Sequence, residues 1–201
     1  MQCQELDYVI TNIYFVRHAH SIYIEDELER PLSERGLEDA KLIAEQLKLE
    51  DIHHVVSSPY KRAIQTVEGV AKSIHKEIEI VDDLRERLLS ERPIANFNEA
   101  ILKVWSDFNL SIEGGESNNI AQKRGVAATL DILEKYKGEN IAVGTHGNIM
   151  VLIMNHFDSS YSLPFWKQLQ MPDIYKLTFN ETDLVSVKRI NSNENKEEIV
   201  E

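Results

Sequence analysis

A chain of 201 residues that is 42% hydrophobic is long enough to close one globular domain around a real core. Its net charge of −12 argues against nucleic acid and anionic membrane as partners, since both attract basic surfaces, so positive charge for any anionic ligand must be gathered locally. A lone cysteine, Cys3, leaves no internal disulfide framework, and no signal-peptide pattern or apolar run of transmembrane length is visible, so a cytoplasmic protein is expected.

Ile13-Tyr14-Phe15-Val16 is a run of strand formers that leads straight into Arg17-His18, the pattern of a buried strand that pushes a cation and an imidazole out of its carboxyl end. After an acidic loop from Glu25 to Arg30, Ser33 is a candidate N-cap, and Leu37, Ala40, Ala44 and Leu47 recur at helical spacing. Ile52 to Val56 reads as a second strand, ended by Ser57-Ser58-Pro59. Pro59 suits the first turn of a helix that carries Ala63, Val67, Val70, Ala71 and Ile74 on one face. A short third strand spans Ile78 to Val81. A helix is expected from about Ile94 to Phe108 with Phe97, Ile101, Val104 and Trp105 inward. Glu116 opens a longer one with Ile120, Ala127, Leu130 and Leu133, ending near Lys137-Gly138. Ile141 to Gly144 is a fourth buried strand that delivers Thr145-His146-Gly147, and the next helix carries Ile149 to Asn155. Ile174 to Phe179 and Leu184 to Ile190 read as two closing strands, antiparallel at an edge.

This alternation predicts an α/β three-layer sandwich with a mostly parallel sheet, helices on both faces and an antiparallel edge. One domain over residues 1–190 is expected, with a cap-like insertion at about 87–115 and a polar, disordered tail at 191–201.

Three strands end in reactive polar groups: Arg17-His18, Ser57-Ser58 with Arg62 one turn into the helix, and His146. The carboxyl ends of parallel strands share one edge, where ligands of open α/β sheets sit, so residues distant in sequence converge. Two guanidiniums and two imidazoles there make a phosphate-sized cationic pocket in an acidic protein, and the helix after Gly147 adds backbone N–H groups. An imidazole in that place serves as nucleophile or base at neutral pH. A second chemistry is open to His18-Ala19-His20, an H-x-H pair of metal-dependent hydrolases, but barrels of that kind need about 250 residues and further ligands that the chain does not display.

Six blocks in order resemble the histidine phosphatase superfamily, the phosphoglycerate mutase-like fold. Val16-Arg17-His18-Ala19-His20-Ser21 resembles that family's R-H-G strand-end motif, and Pro31-Leu32-Ser33-Glu34-Arg35-Gly36 its L-[ST]-x-x-G segment. The stretch from Ser57 through Arg62-Ala63 to Thr66 resembles its S-S-x-x-x-R-A-x-x-T segment. Leu84-Arg85-Glu86, Gly114-Gly115-Glu116-Ser117 with Arg124, and Thr145-His146-Gly147 complete the order, from Phe15 to about Ile153.

The resemblance implies a phosphomonoesterase that hydrolyses a small phosphorylated metabolite through a phosphohistidine, with no cofactor and no metal. It makes His18 the nucleophile, has Arg17, Arg62 and His146 hold the phosphoryl oxygens, and has Glu86 pass the proton to and from the leaving oxygen. Ser21 and Gly147 fall at positions that contact phosphate. Adjacent cations are expected to keep the His18 ring neutral. Glu91, Asp82, Asp83 and Glu116 are the other acids within reach of the Glu86 role. Departures from the family pattern are His20 where Glu is common, Ile24 where many members carry Asn, and Leu88-Leu89-Ser90 where a Gly is usual. Two alternatives accompany this reading: a cofactor-dependent phosphoglycerate mutase, which is generally longer, and a non-catalytic protein that binds phosphorylated ligands. The implied partner is a small phosphorylated substrate, and no pattern in the chain fixes an oligomeric state. Specificity is expected to lie in Arg87 to Gly115 and in a loop from Phe157 to Met171.

Overall fold

Ile13, Tyr14, Phe15 and Val16 are wholly buried in strand β1 (Ile10–Arg17), and Ile141, Ala142 and Val143 are equally buried in β4 (Asn140–Thr145). Strands covered on both faces take continuous apolar runs rather than alternating ones, which is why these segments read so clearly in the sequence. The computed structural model describes residues 9–190, so Cys3 and the tail at 191–201 lie outside it. The other strands are β2 (His54–Ser57), β3 (Ile78–Ile80), β5 (Asp173–Asn180) and β6 (Asp183–Arg189). They form one sheet in the order β3-β2-β4-β1-β5-β6; β1 to β4 run parallel, and β5 and β6 join antiparallel at the β1 side. The expected α/β fold with an antiparallel edge is the fold observed.

Side chains alternate between the two faces. Tyr14, Val16, Val55 and Ala142 point to the layer formed by helices α1 (Glu34–Leu47) and α2 (Lys61–Ser73). Ile13, Phe15, Val56, Ile141 and Val143 point to α3 (Phe97–Ser106), α4 (Asn118–Lys135) and α5 (Gly147–Phe157). Each buried Ile, Leu or Phe contributes about 1.5–3 kcal/mol on leaving water. Helix α5 is apolar all round and buried from Gly147 to Met154, as a helix enclosed by neighbours must be.

Caps set the helix starts. Ser33 accepts from the Gly36 amide at 3.1 Å, Asn96 from Glu99 at 3.1 Å and Ser117 from Ile120 at 3.2 Å.

Several sequence expectations are corrected. Pro59 precedes the α2 cap residue Tyr60 and is not in the helix; the turn there is held by the Tyr60 amide, which donates to Ser58 Oγ. Leu37, Phe97, Ile120 and Ala127 face solvent. In α4 the inward face is Ala121, Ala128, Thr129 and Ile132, because small residues let it approach the bulky α5. The stretch from Phe157 to Met171 is not all loop: it contains α6 (Leu163–Gln168), a single turn and a half whose short apolar run gave no periodicity to read.

Candidate active site

The tips of β1, β4 and β2 lie side by side in the sheet. Arg17 is level with Thr145, and Ser57 with Gly144. The ladder continues one residue past each tip, with the His18 amide donating to Thr145 O (2.9 Å) and the Ser58 amide to Gly144 O (2.8 Å). The turn after His18 is pinned as well, since the Ala19 amide donates to Thr66 Oγ1 (3.0 Å) on α2. The last residue of the third motif block thereby anchors the first.

His18 is 8% exposed and its Nδ1 lies 2.8 Å from Ala19 O. A carbonyl only accepts, so the ring proton is on Nδ1 and Nε2 carries the lone pair. Arg62 Nε donates to that Nε2 at 3.3 Å. Burial lowers the His18 pKa to about 3; the Ala19 bond opposes this, and Arg62, Arg17 and Arg30 add to it. Desolvation therefore outweighs the neighbouring cations that sequence reasoning credited with keeping the ring neutral.

The His146 ring stands 5.2 Å from the His18 ring, edge-on. Its Nε2 is 2.8 Å from Ser58 Oγ, while Nδ1 is buried with no hydrogen-bond partner. Burial first, then His18, Arg62, Arg124 and Arg17, hold its pKa well below the usual histidine value. Tyr60 packs edge-on against the same ring at 4.9 Å and lies under the Arg62 guanidinium at 4.6 Å, so one aromatic side chain locates both groups.

Arg17 spans to the far side of the site, where Nη1 donates to the carbonyls of Leu169 (3.1 Å) and Gln170 (3.0 Å), and its buried Nε has no partner. A Cβ on Gly147 would come within 3.2 Å of the Arg17 Nε and Cζ atoms, so glycine at that position makes room for the guanidinium. Arg62 is fixed by Glu27, to the carbonyl at 2.9 Å and the carboxylate at 3.1 Å.

Glu86 closes the ring of groups. Its Oε1 accepts from the amides of Arg87 (2.9 Å) and Ile149 (3.0 Å), and its Oε2 from Asn148 (3.1 Å), so the carboxylate caps α5 directly behind His146. Three of roughly four lone-pair positions are thereby occupied, and the one left belongs to Oε2. The other candidate acids are engaged elsewhere: Asp82 and Asp83 pair with Arg85, Glu116 forms a two-pronged pair with Arg124, and Glu91 lies against Gly114. Arg124 also donates to the carbonyls of Asp83, Arg85 and Glu86, which braces the loop that bears Glu86. Thr145 Oγ1 ties Leu84 O of that loop to β4 at 3.0 Å.

Arg17, His18, Arg62, Glu86, His146 and Gly147 are thus brought together. Ser21 is buried in the following loop with its Oγ unpartnered. His20 turns outward to Ser33 Oγ at 2.8 Å, away from His18, and among the described residues no three His, Cys, Asp or Glu side chains cluster to hold a metal ion. Clefts of about 550 and 690 Å³ border α1 instead, and neither is lined by a histidine.

The sequence profile of the histidine phosphatase superfamily (branch 1) matches residues 13–192. The chain belongs to that superfamily. Among curated histidine phosphatase relatives, a phosphoglycerate mutase-like protein 4 of Arabidopsis thaliana is 32% identical over 73% of this chain and 70% of its own length. A metal-independent phosphoserine phosphatase of the same plant is 34% identical over 70% of this chain and 66% of its own. Among solved structures, a mycobacterial glucosyl-3-phosphoglycerate phosphatase superposes with a TM-score of 0.73 at 18% identity, covering 90% of this chain and 97% of that one. A phosphoglycerate mutase from Bacillus anthracis superposes with 0.72 at 20% identity, covering 93% and 95%. At such identities the superpositions show a shared fold.

Sequence reasoning missed Ser58, Tyr60 and Glu27 as partners of His146 and Arg62. Ser58 stood in the motif without a role, and nothing in the spacing links Glu27 to Arg62 across 35 residues. It placed Arg87, the residue after Glu86, in the stretch expected to hold specificity but gave it no role of its own.

Proposed function

We propose that this protein is a metal-independent phosphomonoesterase that works through a phosphohistidine on a small phosphorylated metabolite. The observation that carries the reading is the His18 ring, whose Nδ1 proton is committed to Ala19 O, leaving an uncharged Nε2 that faces Arg62 and the His146 ring. Nε2 attacks phosphorus as the bond to the leaving oxygen breaks, and that oxygen takes a proton from the Oε2 side of Glu86. Water then attacks the phosphohistidine, Glu86 takes its proton, and phosphate leaves with His18 restored. Arg17 Nε, Arg62 and His146 Nδ1 are the donors for the three equatorial oxygens, where charge spreads in transit. Ser21 Oγ and the start of α5 at Gly147 are assigned as supporting contacts. Residues 87–115, which begin directly after Glu86, are assigned as the cap that selects the leaving group.

Relatives whose names carry phosphoserine phosphatase and phosphoglycerate mutase support small phosphorylated acids as the first substrates to try. A lone cysteine in 201 residues supports a reducing, cytoplasmic setting. The mutase names favour a second reading, in which the phosphohistidine is returned to product; isomerised phosphoglycerate without free phosphate would establish it.

The test is phosphate release from a panel of phosphomonoesters in EDTA, beside His18→Ala. Wild type is expected to turn over at least one member and His18→Ala none. Activity lost in EDTA, or retained by His18→Ala, overturns the mechanism.

A further inference from the structure

Arg87 is 4% exposed, and its Nε, Nη1 and Nη2 are all buried without a hydrogen-bond partner. The other arginines around the site are anchored. Arg124 donates to a carboxylate and three carbonyls, Arg17 to two carbonyls, and Arg62 to the Glu27 carbonyl and carboxylate. A structural arginine looks like Arg124. A buried guanidinium with all its donors idle is costly, and in a native fold such a group calls for a ligand.

Its place narrows the ligand. The Arg87 amide donates to Glu86 Oε1, so the side chain starts one residue from the group that meets the leaving oxygen. The Glu86 carboxylate in turn accepts from the Asn148 and Ile149 amides at the start of α5, next to His146, so Arg87 adjoins the residue that borders the phosphoryl cradle. Glu86 and Glu116 are the charges felt by Arg87, yet neither forms an ion pair with it. Glu116 is already paired with Arg124, and Glu86 is held by three backbone amides, so the Arg87 charge is left uncompensated. A planar carboxylate matches the free guanidinium fork with two parallel hydrogen bonds.

We propose that Arg87 reads a carboxylate on the leaving group, so that the preferred substrates are phosphomonoesters of hydroxy acids or amino acids. This rests on the phosphomonoesterase reading and names its substrate class.

The experiment compares kcat/KM for phosphoserine over phosphoethanolamine, and for phosphoglycerate over glycerol phosphate, in wild type, Arg87→Met and Arg87→Lys. Using the ratio cancels any general loss of activity. Wild type is expected to favour the carboxylate member by about tenfold or more, Arg87→Met to lose that preference, chiefly through KM, and Arg87→Lys to keep part of it as a point charge without the fork. The same pairs are compared by ligand-induced shift in Tm, which reads binding without turnover. A wild type that does not prefer the carboxylate member, or ratios and shifts unchanged in Arg87→Met, overturns the inference. If wild type shows the carboxylate-dependent Tm shift but releases no phosphate, the hydrolytic reading fails while the Arg87 subsite stands.

Discussion

The proposed nucleophile, His18, must be uncharged at working pH, and the fold favours the neutral ring by burying it and His146 rather than only by surrounding them with cations. That choice has a consequence for stability. The folded pKa of His18 is about 3, while an unfolded histidine titrates near ~6.5. Between those values the unfolded chain binds the proton that the folded one refuses, so acidification favours unfolding; above ~6.5 the group contributes no pH dependence. His146 acts in the same direction. Denaturant unfolding should therefore show wild type losing stability from pH 7 to pH 5. His18→Gln should lose about 2 kcal/mol less over the same interval, since one titrating ring has been removed. Parallel losses in the two proteins would mean that the unfolded-state histidine does not drive the acid transition.

At the scale of elements, strand tips and helix starts do the positioning, and two glycines show how differently they tolerate change. A Cβ on Gly36, in the first turn of α1, would sit 2.0 Å from the backbone carbonyl oxygen of His20, which cannot move without opening the loop after β1. Gly36→Ala is expected to cost about 3 kcal/mol or more in urea unfolding. A Cβ on Gly147, in the first turn of α5, meets the Arg17 guanidinium at 3.1–3.2 Å and Trp166 Nε1 at 3.4 Å, side-chain atoms that can yield. Gly147→Ala should keep stability within about 1 kcal/mol, because alanine is the better helix former, yet lower kcat/KM by about tenfold as Arg17 is displaced. Equal effects of the two substitutions on stability would refute this assignment of their neighbours. Most motif blocks were legible because they mark a strand tip or a helix start, where chain geometry forces particular residue types; Leu84-Arg85-Glu86, in a loop, is the exception. What they could not disclose is the filling between elements. Ile120 and Ala127 fit a helical period but lie off the face that meets α5, and Glu27 reaches Arg62 only through tertiary folding. Likewise, a lone Arg after Glu86 carries no local signal that its guanidinium will be enclosed without acceptors.

For the whole molecule, the continuous apolar runs of β1 and β4 announced a central parallel sheet, and the sheet order then sets the polar tips of β2, β4 and β1 next to one another. The result is a protein of net charge −12 that gathers Arg17 and Arg62 at one end of its sheet. The bulk of the surface repels anions, so stabilisation by a small anion must come from that end. Inorganic phosphate, the product of the proposed reaction, fits the Arg17, Arg62 and His146 donors. At a concentration about a hundredfold above its Kd it would stabilise the folded state by about 2.7 kcal/mol. For a chain of this length that corresponds to a rise in Tm of roughly 5–10 °C. Chloride at matched ionic strength should leave Tm nearly unchanged, because screening alone supplies no bidentate partner for the guanidiniums. Arg62→Ala should remove most of the phosphate-induced rise by taking away the donor that faces His18 Nε2. If chloride reproduced the shift, or if Arg62→Ala retained it in full, the anion would be acting on the acidic surface at large, and the strand tips would not be its site.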